Sequence, residues 1–164
     1  MEPKYHILAV DDRPDNLLVL DNLLCDRYVL HIATGGFQAL DYLNAGGRAD
    51  LILLDVMMPD LDGFEVCRQI KLSPRYGEVP VIFLTGLDSH TDEERGLSLG
   101  AVDFIHKPFS AAVVLARVHN HLQLSVATRT LRAYSEDLER MVADRTREIL
   151  RQAEELTRRD HQLI

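Results

Sequence analysis

The stretch that decides the fold is LILLDVMMPDLDG, residues 51–63. Its first four residues are apolar and lead directly into Asp55, a pattern typical of a short strand buried on both faces of a sheet. Pro59 and Gly63 then bring the fixed and the permissive backbone angles that are typical of a loop. In an open parallel sheet, ligands bind at the edge where the strands end. Asp55 is therefore predicted to stand at a binding edge.

Strands and helices alternate along the first three quarters of the chain. The patterns predict strands at 5–10, 28–33, 51–54, 81–85 and 102–106, and helices at 14–26, 37–45, 64–72, 90–99 and from 110 onward. The pair Gly46–Gly47 and Gly100 are predicted helix stops. Short alternating units of this kind predict an α/β fold with a parallel, doubly wound sheet and right-handed crossovers.

Composition narrows the class of protein. The chain has 164 residues, of which 46% are hydrophobic, and a net charge of -8. Residues 1–123 carry 18 acidic and 10 basic side chains, which argues against nucleic-acid binding there. No apolar run reaches the roughly 18 to 20 residues of a membrane span, and the N-terminus lacks a signal-peptide pattern, so we expect a cytoplasmic protein with no membrane partner. Cys25 and Cys67, in predicted helices without a CxxC motif, are expected to be reduced packing residues.

Five polar residues follow or end four different predicted strands: Asp11, Asp12, Asp55, Thr85 and Lys107. The ends of parallel strands share one edge, so these residues are expected to converge there. Three carboxylates repel one another unless a cation lies among them, and hard oxygen ligands suit Mg²⁺. A hydroxyl and an ammonium opposite them are suited to the oxygens of a phosphoryl group that a carboxylate attacks in line. The predicted chemistry is phosphoryl transfer to a carboxylate.

Four segments together resemble the receiver domain of two-component response regulators: the Asp-Asp pair after the first strand, DVMMPDLDG, Thr-Gly after the fourth strand, and FIHKPF. The resemblance covers residues from about 5 to 123, and we expect residues 1–123 to form this domain. It implies a flavodoxin-like, five-stranded parallel sheet with the strand order 2-1-3-4-5.

The resemblance also implies a role for each matching residue. Asp55 would be the phosphoacceptor, taking a phosphoryl group from a sensor histidine kinase or a phosphotransfer protein. Asp12 and Asp55 would ligate Mg²⁺ with their side chains, Met57 with its backbone carbonyl, and Asp11 through water. Lys107 would pair with the phosphoryl group, and the Lys107–Pro108 peptide bond would be cis. Such a protein is a phosphoacceptor rather than an enzyme.

Thr85 and Phe104 resemble the switch pair of this family. The hydroxyl of Thr85 would move toward the phosphoryl group, and the ring of Phe104 would turn inward. Core packing on the fifth strand is the alternative role for Phe104.

Residues 124–164 show a heptad pattern. Leu124, Leu131 and Leu138 are seven apart, and Val142, Ile149, Leu156 and Leu163 continue with an offset of four, which indicates a stutter. The pattern predicts that residues 124–164 form a coiled-coil linker helix in a homodimer, with either parallel or antiparallel helices. A single amphipathic helix docked on its own domain is the alternative.

The segment 138–150, LERMVADRTREIL, resembles linkers that precede HD-GYP or GGDEF output domains of cyclic-di-GMP signalling. We therefore expect an output domain beyond residue 164.

Two other classes of protein share parts of this pattern. A haloacid-dehalogenase-like phosphatase also uses a strand-end Asp, Mg²⁺, Thr and Lys, but it needs a second Asp as general acid where this chain has Met57. A receiver-fold interaction scaffold that works without phosphorylation would not require the full set of five polar residues.

Overall fold

The computed structural model describes residues 3–86 and 90–162. The elements, in chain order, are β1 (His6–Val10), α1 (Pro14–Leu24), β2 (Val29–Ala33), α2 (Gly36–Asn44), β3 (Leu51–Asp55), α3 (Gly63–Leu72), β4 (Val81–Thr85), α4 (His90–Ser98), β5 (Asp103–His106) and α5 (Ala111–Gln162). The predicted alternation of strands and helices is confirmed, with bounds that differ by one or two residues at most ends. Leu163, the last member of the predicted heptad series, lies outside the described residues.

The five strands form one parallel sheet in the order β2-β1-β3-β4-β5. This is the flavodoxin-like order that the resemblance implied. All residues of β3 and β4 are buried, as expected for central strands covered on both faces.

Each face of the sheet carries its own hydrophobic core. One core joins strand residues to α2 and α3, with Ala39, Phe64 and Ile70 among its buried members. The other joins the alternate strand residues to α1 and the first turns of α5, through Leu20 and Val118. The sheet is therefore doubly wound, as predicted. Cys67 is buried in the first core, but the packing role predicted for Cys25 is wrong, since Cys25 is exposed just after α1 ends.

The predicted glycine stops are confirmed where the backbone requires them. Gly46, which follows α2, and Gly100, which follows α4, have positive φ angles of 86° and 102°. Only glycine adopts this conformation without strain from a Cβ atom, which explains why both helices end where they do.

The chain divides into two compact units, Met1–Ser125 and Val126–Ile164. The second unit is helical over its described residues, 126–162, and nearly all of its side chains are exposed. Ion pairs between residues three or four apart line this helix, as when Arg151 contacts both Glu148 (2.7 Å) and Glu155 (3.0 Å). Its apolar side chains, among them Leu131, Leu138, Ile149 and Leu156, are also exposed.

In the part of the chain that the structure describes, no helix has the length and hydropathy needed to cross a membrane.

Gly63 sets the distance between the end of β3 and the start of α3. A Cβ atom built on it would lie 2.1 Å from the backbone oxygen of Asp55, which is far inside van der Waals contact. Asp62 caps the same helix by accepting a hydrogen bond from the backbone N–H of Glu65 (2.9 Å). The first residue of α3 must therefore be glycine, because the Asp55 backbone leaves no room for a Cβ atom there.

We predict that Gly63→Ala destabilises the protein although alanine favours helices, because the added methyl group must displace the Asp55 backbone. The expected loss is about 1–3 kcal/mol in the free energy of unfolding, measured by urea denaturation. Gly86→Ala is the matched control, since a Cβ atom at Gly86 would meet no atom of the described residues within 4 Å. Equal stability of the two variants would contradict the close approach at Gly63.

Candidate functional site

The register of the sheet brings the polar residues together at one edge. Val10 at the end of β1 pairs with Leu54 in β3, so that Asp11 and Asp55 lie side by side just beyond. In the neighbouring pair of strands, Thr85 at the end of β4 is the partner of His106 at the end of β5. The sheet thus places residues from four strands around one opening.

Lys107 is the positive charge of this cluster. Its Nζ atom lies 2.9 Å from Oδ2 of Asp11 and 3.2 Å from Oδ1 of Asp55. Asp11 is fully buried and also accepts hydrogen bonds from the backbone N–H of Arg13 (2.9 Å) and the side-chain amide of Asn16 (3.1 Å). The Lys107–Pro108 bond is cis, as the resemblance implied. These contacts hold the lysine ammonium between two buried carboxylates.

The protonation of Asp55 reflects its surroundings. The pKa of Asp55 is raised to about 7 as the net result of burial and the adjacent Asp11 carboxylate, which raise it, and of Lys107, which opposes both effects. An additional cation among these oxygens would favour the ionised form of Asp55. Nearby positive charge therefore determines how far the Asp55 carboxyl group is ionised.

The three aspartates fit a divalent metal ion. Asp11, Asp12 and Asp55 each present a carboxylate oxygen, and these oxygens lie within 4.8 Å of one another. Lys107 carries one positive charge against three negative ones, so the cluster retains net negative charge. Hard oxygen donors beside open solvent are the donor set that Mg²⁺ uses, because this ion keeps several of its waters.

A cleft of about 780 Å³ opens over this cluster. Its lining includes Asp12, Asp55, Met57, Thr85 and Lys107, so the structure brings these predicted residues together. The backbone N–H of Met57 donates to Oδ1 of Asp55 (3.4 Å), and Met57 is 77% exposed. The metal-binding role of the Met57 carbonyl stays a prediction.

Thr85 and Phe104, the predicted switch pair, have different environments. The hydroxyl of Thr85 is hydrogen-bonded to Nδ1 of His106 (3.0 Å). Phe104 is 6% exposed, and its ring stacks on Phe83 at a centroid distance of 5.8 Å. This is the packed position that the alternative for Phe104 describes, and its role as a switch stays a prediction.

Sequence reasoning missed two groups of site residues. Arg13 and Asn16 hold Asp11, and their place in or beside the first turn of α1 could have pointed to them. His106 could not be assigned to Thr85 without the strand order, because 21 residues separate them in the chain.

The fold and the site define a class of protein. The chain belongs to the response regulator receiver domain family, whose model matches residues 7–119. This confirms the resemblance read from the sequence.

Particular relatives extend the match. The chain is 42% identical over 143 residues to a protein of Vibrio cholerae serotype O1 named "Probable cyclic di-GMP phosphodiesterase", covering 87% of this chain and 32% of that protein. It is 39% identical over 127 residues to response regulator PleD of Caulobacter vibrioides, covering 77% of this chain and 28% of PleD. The chain thus spans about a third of the length of these curated relatives.

A solved structure shows the same fold. The signal receiver domain of a signal transduction histidine kinase from Syntrophus aciditrophicus is 37% identical, with a TM-score of 0.67. The match covers 73% of this chain and 90% of that domain.

Asp60 fixes the loop that follows Asp55. Its carboxylate accepts hydrogen bonds from the backbone N–H groups of Gly36 (3.2 Å) and Phe37 (3.1 Å) at the start of α2. Desolvation raises the pKa of Asp60, but the backbone donors Phe37 and Gly36 outweigh it, and the net pKa is lowered. The loop is therefore tied to a neighbouring helix by a charge-assisted cap.

We predict that Asp60→Asn reduces stability in a pH-dependent manner. Because folding lowers the pKa of Asp60, its stabilisation is present above the unfolded pKa, near 4, and is lost as the pH falls through the folded pKa. The difference from the unmodified protein should be about 0.5 kcal/mol near pH 7, allowing for solvent screening, and should vanish in acid. Urea denaturation across pH 3–7 measures it, with Asp41→Asn on the exposed side of α2 as control. A difference that grows in acid would contradict the assignment.

Proposed function

We propose that this chain is the phosphoacceptor receiver of a response regulator and that Asp55 takes the phosphoryl group. The observation that carries the proposal is the contact of Lys107 with Asp11 and Asp55 at the cleft that Thr85 also lines. The donor would be a sensor histidine kinase or a phosphotransfer protein in the cytoplasm, as the family implies.

The reaction forms one bond and breaks one. An oxygen of the Asp55 carboxylate attacks phosphorus in line, and the phosphorus–nitrogen bond of a phosphohistidine breaks, leaving the electron pair on the imidazole nitrogen of the donor. Lys107, already 3.2 Å from Asp55, would bind a phosphoryl oxygen. The Thr85 hydroxyl would donate a hydrogen bond to another.

Mg²⁺ would be held by the side chains of Asp12 and Asp55, by the Met57 carbonyl and by Asp11 through water. When bound, this ion offsets the negative charge of the carboxylates and of the incoming phosphoryl oxygens. The chain itself supplies the nucleophile, the ammonium and the hydroxyl. The ring of Phe104 would complete the switch by turning inward when the Thr85 hydroxyl moves toward the phosphoryl group.

We predict a single phosphoryl adduct when the protein is incubated with acetyl phosphate and Mg²⁺, detected by intact mass spectrometry. Asp55→Asn should abolish the adduct, because the variant lacks the nucleophilic oxygen, and removal of Mg²⁺ by a chelator should suppress it. Asp41→Asn, which removes an exposed carboxylate from α2, is the control and should be modified as the unmodified protein is. Absence of an adduct on the folded protein would favour the phosphorylation-independent scaffold.

A phosphatase is the less suitable enzyme class for this site. Met57 occupies the position where a haloacid-dehalogenase-like phosphatase needs an acidic side chain, and a thioether cannot protonate a leaving group. Turnover of a generic phosphate ester would revive that class.

The helix beyond residue 123 would link this domain to an output domain of cyclic-di-GMP signalling. The supporting observation is the alignment with the Vibrio cholerae protein, which covers 143 residues and so must include part of this helix. Residues 124–164 would act as a coiled-coil linker in a homodimer. The stutter near Leu138–Ile149 is where a change of helix register would cost least.

We predict that the protein dimerises through the exposed apolar side chains of this helix. Leu131, which is 68% exposed in the single chain, would be buried against a second copy. Leu131→Glu should weaken dimerisation by about 2 kcal/mol or more, roughly thirtyfold in Kd, because it removes a packed side chain and adds like charges. Sedimentation equilibrium measures this effect.

Ala133→Glu is the control, since it adds the same charge to the outer face of the helix and should leave the dimer intact. A monomer at every concentration reached by the unmodified protein would contradict the coiled coil.

A further inference from the structure

A histidine connects the hydroxyl at the cleft to helix α4. Nδ1 of His106 is 3.0 Å from Oγ1 of Thr85, and Nε2 of the same ring is 3.3 Å from Oε1 of Glu93 in the first turn of α4. The three residues belong to β4, β5 and α4, and they form a continuous polar contact beside the buried cluster. Thr85 is 7% exposed, whereas the side chain of His106 is 46% exposed.

The chemistry of the three groups sets the direction of the hydrogen bond between Thr85 and His106. The negative charge of the Glu93 carboxylate, 3.3 Å from Nε2, favours the tautomer of His106 with its proton on that nitrogen. Nδ1 of the neutral ring is then an acceptor, and the hydroxyl of Thr85 donates to it. A hydroxyl has one hydrogen, and this contact uses it.

We propose that His106 is a positioning residue that holds the Thr85 hydroxyl away from the phosphoryl site and couples its release to α4 through Glu93. This inference rests on the proposed function, because the competitor for the hydroxyl hydrogen is the phosphoryl group on Asp55. When Thr85 donates to a phosphoryl oxygen, Nδ1 of His106 loses its donor. The ring is then free to change its contact with Glu93, and the first turn of α4 senses the state of the site.

Neighbouring contacts leave the Thr85 side chain able to change its hydrogen-bond partner while Lys107 and the backbone stay in place. Lys107, the next residue after His106, places its ammonium on Asp11 and Asp55 instead. The backbone N–H of Lys107 donates to the backbone oxygen of Thr85 (2.7 Å), which fixes the two strand ends against each other. The hydroxyl of Thr85 can therefore change partner by side-chain rotation while the strand ends stay paired.

The test measures how tightly the full chain binds beryllofluoride, a stable mimic of a phosphoryl group on a carboxylate, in the presence of Mg²⁺, by isothermal titration calorimetry. His106→Val should bind it about fivefold more tightly than the unmodified protein, the ratio that corresponds to one net hydrogen bond no longer in competition. Glu93→Gln should shift the affinity in the same direction by less, because the ring is released from one tautomer. His119→Ala, which removes an exposed histidine of α5, should bind as the unmodified protein does.

A double-mutant cycle distinguishes this role from a general structural effect. In a Thr85→Val background, His106→Val should no longer change the affinity, since the contested hydrogen is absent. The ring nitrogens of His106, followed by ¹H–¹⁵N correlation spectra, should report a proton on Nε2 before beryllofluoride is added and a change at Nδ1 afterwards.

Each contrary outcome has a distinct meaning. Unchanged or weaker binding by both His106→Val and Glu93→Gln would overturn the role of His106 while leaving Asp55 as phosphoacceptor. An equal gain in the Thr85→Val background would also overturn it. Failure of the unmodified protein to bind beryllofluoride, together with failure to form the acetyl phosphate adduct, would instead overturn the proposed function and this inference with it.

Discussion

Repulsion among carboxylates at one edge of the sheet is the constraint on which this structure depends. Asp11 and Asp55 are buried side by side, Asp12 lies beside them, and Lys107 offsets one charge of the three. Buried like charges are tolerated only where counter-charge is supplied, so this edge is stabilised by cations and is suited to oxygen-rich anions that arrive with them. Burial, and after it the Asp11 carboxylate, raises the pKa of Asp55. The charged surroundings of Asp55 are thus a consequence of where three strands end.

The surroundings of the cluster divide into a fixed side and an adjustable side. On the fixed side, Gly63 lies against the backbone of Asp55, and Asp60 ties the following loop to α2. On the adjustable side, Thr85 is held by a side-chain hydrogen bond to His106, which in the proposed function a phosphoryl oxygen replaces. A rigid nucleophile next to a movable hydroxyl would then act as a switch, because a chemical change at one would be transmitted by rotation of the other.

Short stretches of sequence were sufficient to predict most strands and helix ends. The apolar run 51–54 indicates a buried strand, and Gly100 indicates the end of a helix. The convergence of Asp11, Asp55 and Lys107 was also predictable, because parallel strands end at one edge. Contacts that depend on strand order and on side-chain rotamers were not predictable. The hydrogen bond between Thr85 and His106 is such a contact. The contacts that bury the Phe104 ring likewise depend on the packing of Phe83 and Gly96 around it, which no spacing in the sequence reveals.

Chemical trapping of the modified residue tests the central claim most directly. The protein is incubated with acetyl phosphate and Mg²⁺, treated with borohydride, which reduces an acyl phosphate to an alcohol, and digested with trypsin. Fragmentation of the peptide spanning residues 49–68 should then show homoserine at position 55 and unchanged aspartate at positions 50, 60 and 62. Homoserine at another position, or unmodified Asp55 in a protein that carries the phosphoryl mass, would contradict the account.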